Sequence, residues 1–249
     1  MRKMCEIAAL WPRIGVVIFA LMPDVGHASC RQALALGLDI SGSVDAAEYR
    51  LQMDGLANAL LDADVQAAFL AIPGAEVRLF IYEWGGFGTQ RVLVQWTDIT
   101  DAQVLASIAD ILHSTKRLPH DPATAIGKAM LFGAEALVDQ GDCWRMTLDL
   151  SGDGKSNIGP LPAQSKRQPL LADITVNALV IGVNTLPFSQ RPSNESVDLV
   201  RYFVSQVIRG PNAFVESAEV FEDFQAAMAR KLLKELETRA VGALELPDQ

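Results

Sequence analysis

Residues 39 to 43 read Asp39-Ile40-Ser41-Gly42-Ser43, and they close a near-continuous apolar run, Ala33-Leu34-Ala35-Leu36-Gly37-Leu38. A carboxylate and two hydroxyls emerge together at the end of that run. Hard oxygen donors at this density suit Mg²⁺, Mn²⁺ or Ca²⁺ better than zinc. A second stretch repeats the logic. Leu148-Asp149-Leu150-Ser151-Gly152-Asp153-Gly154 is an apolar strand that ends in a small, tight turn carrying Asp153. Between the two lies Ala123-Thr124-Ala125-Ile126-Gly127 at the start of a helical pattern, where Thr124 offers a third hydroxyl.

Such groups converge only if the elements bearing them share one sheet edge. An apolar run like 33–39 reads as a strand buried on both faces, as in a parallel sheet. Open α/β sheets bind their ligands at the carboxyl ends of such strands. The rest of the chain alternates strand and helix. A helix is expected over Ala46–Leu70, ended by Ile72-Pro73-Gly74, then a strand over Val77–Tyr82. Gly85-Gly86-Phe87-Gly88 turns the chain into an antiparallel edge strand over Arg91–Trp96. Helices are expected over Asp101–Leu112 and Ala123–Val138, and strands over Arg145–Leu150 and Ile174–Val183. A helix over Asp198–Val207, a short strand over Ala213–Val215 and a final amphipathic helix over Phe221–Glu237 complete the pattern. The fold class is thus α/β: a doubly wound, mostly parallel central sheet with one antiparallel edge strand and helices on both faces.

The set Asp39-x-Ser41-x-Ser43, then Thr124, then Asp153-Gly154, resembles the metal-ion-dependent adhesion site (MIDAS) of von Willebrand factor type A (vWA) domains. The resemblance covers about residues 31–240 and is nearest to a group of exported bacterial proteins carrying this Rossmann-like domain. It implies that Ser41, Ser43 and Thr124 bind a divalent cation directly or through water, Mg²⁺ first and Mn²⁺ or Ca²⁺ next. Asp39 and Asp153 would hold it partly through water and hydroxyl hydrogen bonds. Hydroxyls and waters are neutral, so the cation keeps Lewis acidity and an open position, which in this family a carboxylate of a partner protein fills. Some relatives couple coordination to movement of the C-terminal helix, here about Phe221–Glu237. One departure stands out. Relatives often carry Gly before the threonine, whereas Pro122-Ala123 precedes Thr124 here. Asp121 is close enough to substitute for Thr124 or to add a ligand, and Lys155 brings a positive charge next to Asp153.

Bulk properties narrow the function classes. A chain of 249 residues, 50% hydrophobic and 20% charged, suffices for one globular domain. The formal net charge of -9, without a basic stripe, argues against nucleic acid and against an anionic membrane surface. Arg2-Lys3, an apolar stretch strongest over Ile14–Met22, and Gly26-His27-Ala28 read as a secretory signal peptide cut after Ala28. Pro12 and Arg13 interrupt that stretch, so it is a poor membrane span. The expected layout is a signal peptide at 1–28, one domain at 29–240 and a loose tail at 241–249, in a periplasmic or secreted protein whose mature chain does not insert into a membrane.

Export leaves Cys30 and Cys143, a disulfide candidate in an oxidising compartment. Cys30 precedes Asp39 by almost the interval by which Cys143 precedes Asp153. If the two strands are parallel neighbours, both cysteines fall at one end of the sheet, within reach of each other.

Other residues read more plainly. Asp149 is expected as a hydrogen-bonded core carboxylate whose partner the sequence does not identify, and Glu83 as a solvated strand-end residue. Trp84, Trp96 and Trp144 read as packing residues, and His113 and His120 as surface residues without metal-binding spacing. The loop Asn184–Ser196 follows a strand on the ligand edge and is a candidate for shaping partner choice. No nucleophile or base stands beside the motif, which favours a binding module without turnover that meets a carboxylate-bearing protein or peptide. The alternatives are a metal-dependent phosphoester hydrolase and a structural vWA fold without functional metal. Alone, Asp39, Ser41 and Ser43 also fit a helix cap and turn.

Overall fold

The computed structural model describes residues 30–182 and 194–237. The expected signal peptide, the 241–249 tail and nearly all of the loop Asn184–Ser196 lie outside them.

Six strands form one sheet in the order β3-β2-β1-β4-β5-β6. They are β1 (Gln32–Asp39), β2 (Val77–Trp84), β3 (Gln90–Ile99), β4 (Met146–Gly152), β5 (Ile174–Ile181) and β6 (Val215–Ala218). All neighbours pair in parallel except β2 and β3, which form the antiparallel edge hairpin. The chain winds outward from β1 in one direction and from β4 in the other. The junction of β1 and β4 is therefore a topological switch point, where the crevice at the strand ends is open to ligands.

Each face of the sheet has its own core. Leu34, Leu36 and Leu38 of β1 point to the side packed by α1 (Ala46–Leu61), α2 (Ala63–Phe69), α3 (Ala102–Ser114) and α7 (Phe224–Leu236). Ala33 and Ala35 point to the side of α4 (Ile126–Val138) and α6 (Asn194–Tyr202). The two faces alternate along one strand because side chains alternate with period two. Gly37 is required by packing, since a Cβ there would lie 2.7 Å from both Leu150 and Tyr82 side-chain atoms.

Several boundaries differ from expectation for local reasons. The single helix over Ala46–Leu70 is two helices, because the Asp62 side chain accepts from the N–H groups of Asp64 and Val65 and starts α2. The helix expected from Ala123 begins at Ile126, leaving Thr124 in the preceding loop. Residues 203–207 form a π-helical turn after α6, and the last short strand runs over Val215–Ala218 rather than Ala213–Val215. A 3₁₀ turn, Phe221–Asp223, precedes α7. Among the described residues no helix is long and apolar enough to cross a membrane.

The Cys30–Cys143 disulfide is formed, with a Cα–Cα distance of 4.4 Å. It joins the segments that enter β1 and β4, and the Trp144 N–H donates to the Cys30 carbonyl at 2.9 Å. Trp84 and Trp96 pack as expected, but Trp144 does not; it is 59% exposed beside the disulfide. Glu83 also departs from expectation. It is buried, receives Arg91 Nε at 2.7 Å and accepts from the Tyr49 hydroxyl at 3.1 Å. A strand-end acid is drawn inside here because two neighbouring elements supply its donors.

Candidate metal centre

On its β2 side, β1 stays paired to its last residue, Asp39 opposite Trp84. On its β4 side the register stops at Gly37 opposite Leu150. The two central strands thus part near their carboxyl ends, and Asp39 and Asp153 stand at either side of the opening.

Asp39 is fully buried. Its Oδ1 accepts the Ser41 N–H at 2.7 Å, an Asx-type turn that starts the loop. Its Oδ2 is buried and takes no hydrogen bond of normal geometry among the described residues. Gly152 lies against that oxygen, since a Cβ there would stand 3.4 Å from Asp39 Oδ2 and 3.0 Å from the Phe203 ring. Ser41 Oγ is 3.3 Å from Ser43 Oγ, and Ser43 Oγ donates to Asp153 Oδ1 at 2.7 Å. One line of contacts therefore runs from Asp39 through Ser41 and Ser43 to Asp153.

Thr124 reaches this edge from the loop before α4. Its N–H donates to Asn157 Oδ1 at 2.9 Å, and its carbonyl accepts the Asn157 N–H at 2.9 Å and the Ser156 hydroxyl at 3.1 Å. Its backbone is clamped to the loop after Asp153, while its hydroxyl takes no hydrogen bond among the described residues. The Pro122-Ala123 departure is built into the fold. The Gly42 N–H donates to the Pro122 carbonyl at 2.7 Å, and a Cβ on Gly42 would meet Pro122 atoms at 2.9 Å.

Other residues near the edge have structural duties. Asp121 accepts from the N–H groups of Phe87 and Ala123, both at 3.0 Å, and so braces two loops. The Lys155 ammonium lies over the Tyr202 ring at 6.0 Å. His120 Nε2 stands 3.2 Å from Arg117 Nη2, and His113 Nδ1 is 2.9 Å from Asp54 Oδ1. Arg117 also donates to the carbonyls of Ile40 and Ser41 at 3.2 and 3.4 Å, pinning the loop from below.

The two carboxyls at this opening are both raised. Burial, then the Asp153 charge, pushes the Asp39 carboxyl up to about 8. Burial also raises Asp153, against the hydrogen bond from Ser43. A buried carboxylate beside a half-buried one is held neutral unless a countercharge is supplied. Among the described residues no group of three His, Cys, Asp or Glu could hold a metal. A cation here would rest on two acids plus hydroxyls, and the orphan oxygen of Asp39 with the free hydroxyl of Thr124 fits that donor set. Sequence reasoning missed Gln52, Ser151 and Asn157, which bind the backbone of Asp39 and Thr124. The only trace was polarity in apolar segments: Ser151 at the end of a buried strand, and Gln52 on the inner face of α1.

Comparison with known proteins agrees with this architecture. The chain belongs to a family described as "Protein of unknown function (DUF1194)", which matches residues 29–240. No curated protein matches it in sequence. Its fold is that of vWA domains. Proximal thread matrix protein 1 of the mussel byssus is 14% identical over 84% of this chain and 47% of that one, with a TM-score of 0.57. A structure of the same mussel protein described as having a zinc-occupied MIDAS motif is 16% identical, with a TM-score of 0.57 over 84% of this chain and 48% of that one. A von Willebrand factor type A protein from Catenulispora acidiphila is 16% identical over 83% and 43%, with a TM-score of 0.55. The chain spans less than half the length of each.

Proposed function

We propose that this vWA-fold chain is an exported binding module that recognises a protein or peptide through a divalent cation, without turnover. Asp39, Ser41, Ser43, Thr124 and Asp153 would hold the cation. One observation carries the reading: Oδ2 of Asp39 is buried and unpartnered beside Gly152, on the residue that the contacts through Ser41 and Ser43 link to Asp153. A cation held there supplies an electropositive coordination position for a partner carboxylate. The hydroxyls leave it incompletely neutralised, and the burial of Asp39 excludes competing water. Oxygen donors favour Mg²⁺, Mn²⁺ or Ca²⁺, although the mussel relative's motif is described with zinc. A hydrolase would need a base beside the cation, and the nearby His120 is engaged by Arg117 and the Leu118 carbonyl.

The disulfide supports an oxidising compartment. The layout proposed with it is a signal peptide over 1–28, a domain over 29–240 and a tail over 241–249. The test is thermal unfolding of residues 29–249 in EDTA, Mg²⁺, Mn²⁺ and Ca²⁺, beside Asp39→Ala. A rise in melting temperature with metal, absent in the variant, is expected. Equal curves in every condition would leave the fold without a functional metal.

A further inference from the structure

Where β1 parts from β4, the main chain of Asp39 loses its ladder partners, yet neither of its polar groups is left bare. The backbone groups of odd-numbered β1 residues face β4, as the Ala33 N–H does when it donates to the Arg145 carbonyl. At Asp39 two side chains replace the strand. The Asp39 N–H donates to Ser151 Oγ at 3.2 Å, and its carbonyl accepts from Gln52 Nε2 at 2.8 Å. The Ser151 hydroxyl in turn donates to Gln52 Oε1 at 2.8 Å, which closes the ring. Gln52 is 0% exposed and Ser151 2%.

We infer that Gln52 and Ser151 are positioning residues for the cation: a buried clamp that sets the direction of the Asp39 carboxylate and the gap across to Asp153. The inference rests on the metal reading proposed above. Three elements meet in the clamp, since Gln52 belongs to α1, Asp39 ends β1, and Ser151 lies on β4 two residues before Asp153. The amide suits the task because one side chain donates and accepts at once. Without it, the buried Asp39 carbonyl would lose its partner and the Ser151 hydroxyl would be left to donate only to the Gly37 carbonyl, at 3.4 Å, so the strand end would be held less tightly. Metal ligands need placement within about 0.5 Å, and loss of a supporting group typically weakens metal affinity about 10–100-fold.

The experiment is a Mn²⁺ titration of the mature chain, read from the free-ion resonance signal. Wild type is compared with Gln52→Met, Ser151→Ala, Ser151→Thr, Gln32→Met and Asp39→Ala. Gln32→Met removes an equally buried side chain, which donates to Thr147 Oγ1 and accepts from Arg145 Nη2, at the opposite end of the same strands. Gln52→Met and Ser151→Ala are each expected to weaken Mn²⁺ about tenfold or more. Ser151→Thr should restore most of that loss, and Gln32→Met should lower the melting temperature without touching affinity. If Gln52→Met or Ser151→Ala, still folded, binds like wild type while Asp39→Ala does not, the clamp is wrong and the metal site stands. If Gln32→Met weakens Mn²⁺ equally, the effect is general loosening and the clamp is again wrong. If wild type itself binds no Mn²⁺, the metal reading and the clamp fall together.

Discussion

Lys231 Nζ lies 2.6 Å from Asp149 Oδ1, and this contact ties the last helix to the middle of the sheet. Both residues are buried, and the same ammonium stands 2.6 Å from Glu235 Oε1. Asn177 of β5, directly opposite Asp149, donates to that Glu235 oxygen at 2.7 Å. The acid in the central strand thus has a definite partner, delivered from the far end of the chain. Burial lowers Lys231, but the charges of Asp149 and Glu235 outweigh it and hold the ammonium above its usual range.

Removing the cation from this cluster leaves two acids in the core. Lys231→Met should cost about 3–5 kcal/mol, because an uncompensated buried charge is far worse than a missing pair. A triple variant, Asp149→Asn with Lys231→Met and Glu235→Gln, should recover much of the loss. Urea unfolding of the three proteins measures both effects.

The cluster also predicts a pH response. Burial pushes the Asp149 carboxyl up to about 7, against the pull of Lys231. The groups that face it are Lys231 and Glu235 on α7, with the Asn177 amide on Glu235, and Tyr82 on β2. A folded value above the ordinary 3.8 means that Asp149 favours the fold in full below about 3.8, and that this contribution is lost as pH rises through about 7. Asp149→Asn removes the titration. From pH 5 to pH 8, wild type should lose stability relative to the variant, by an amount on the order of a few kcal/mol. Paired urea curves in EDTA check this; a constant difference would show that Asp149 does not titrate there.

Opening the disulfide should destabilise the domain without moving the proposed metal ligands. The loop it closes has a sequence separation of 113. The chain-entropy account gives about 3–5 kcal/mol for a loop of that size. Thermal unfolding of Cys30→Ser with Cys143→Ser, beside reduced wild type, measures the loss. Mn²⁺ affinity at a temperature where both are folded should stay within about twofold of wild type, because a distant cross-link acts mainly on the unfolded chain.

Glu83 offers a fourth test. Its carboxylate joins Arg91 on β3 to Tyr49 on α1, and burial together with that charge raises the Tyr49 hydroxyl. Glu83→Ala should cost about 1–3 kcal/mol, since the buried Tyr49 hydroxyl loses its acceptor while Arg91, partly exposed, keeps the Lys116 carbonyl. A solvated strand-end acid would cost about 0.5 kcal/mol or less. Urea unfolding separates the two.

Much of this protein was legible in its residues because the signals are local. The apolar run 33–38 ends in hydrophilic residues, and side-chain period two made it a buried strand with a polar tip. The alternation of strand and helix led to a doubly wound sheet, and strand order follows closely from that class. Asp39, Ser41, Ser43 and Asp153 meet because strand ends and tight turns put them on one edge. The cysteine pair was readable for the same reason: both lie just upstream of strands that prove to be parallel neighbours. Helix breaks were less so, because Asp62 caps α2 inside a run whose apolar spacing continues through it.

The sequence by itself determined the fold class and the disulfide partners, which follow from periodicity and spacing along the chain, and it marked Asp39, Ser41, Ser43, Thr124 and Asp153 as candidate donors through a resemblance to vWA domains. The tertiary structure decided what each buried polar residue is for. It paired Asp149 with Lys231, drew Glu83 inside, left Trp144 outside, and closed Gln52 and Ser151 around Asp39. A buried polar group must find its partner wherever packing brings one, and the distance along the chain carries no trace of that meeting.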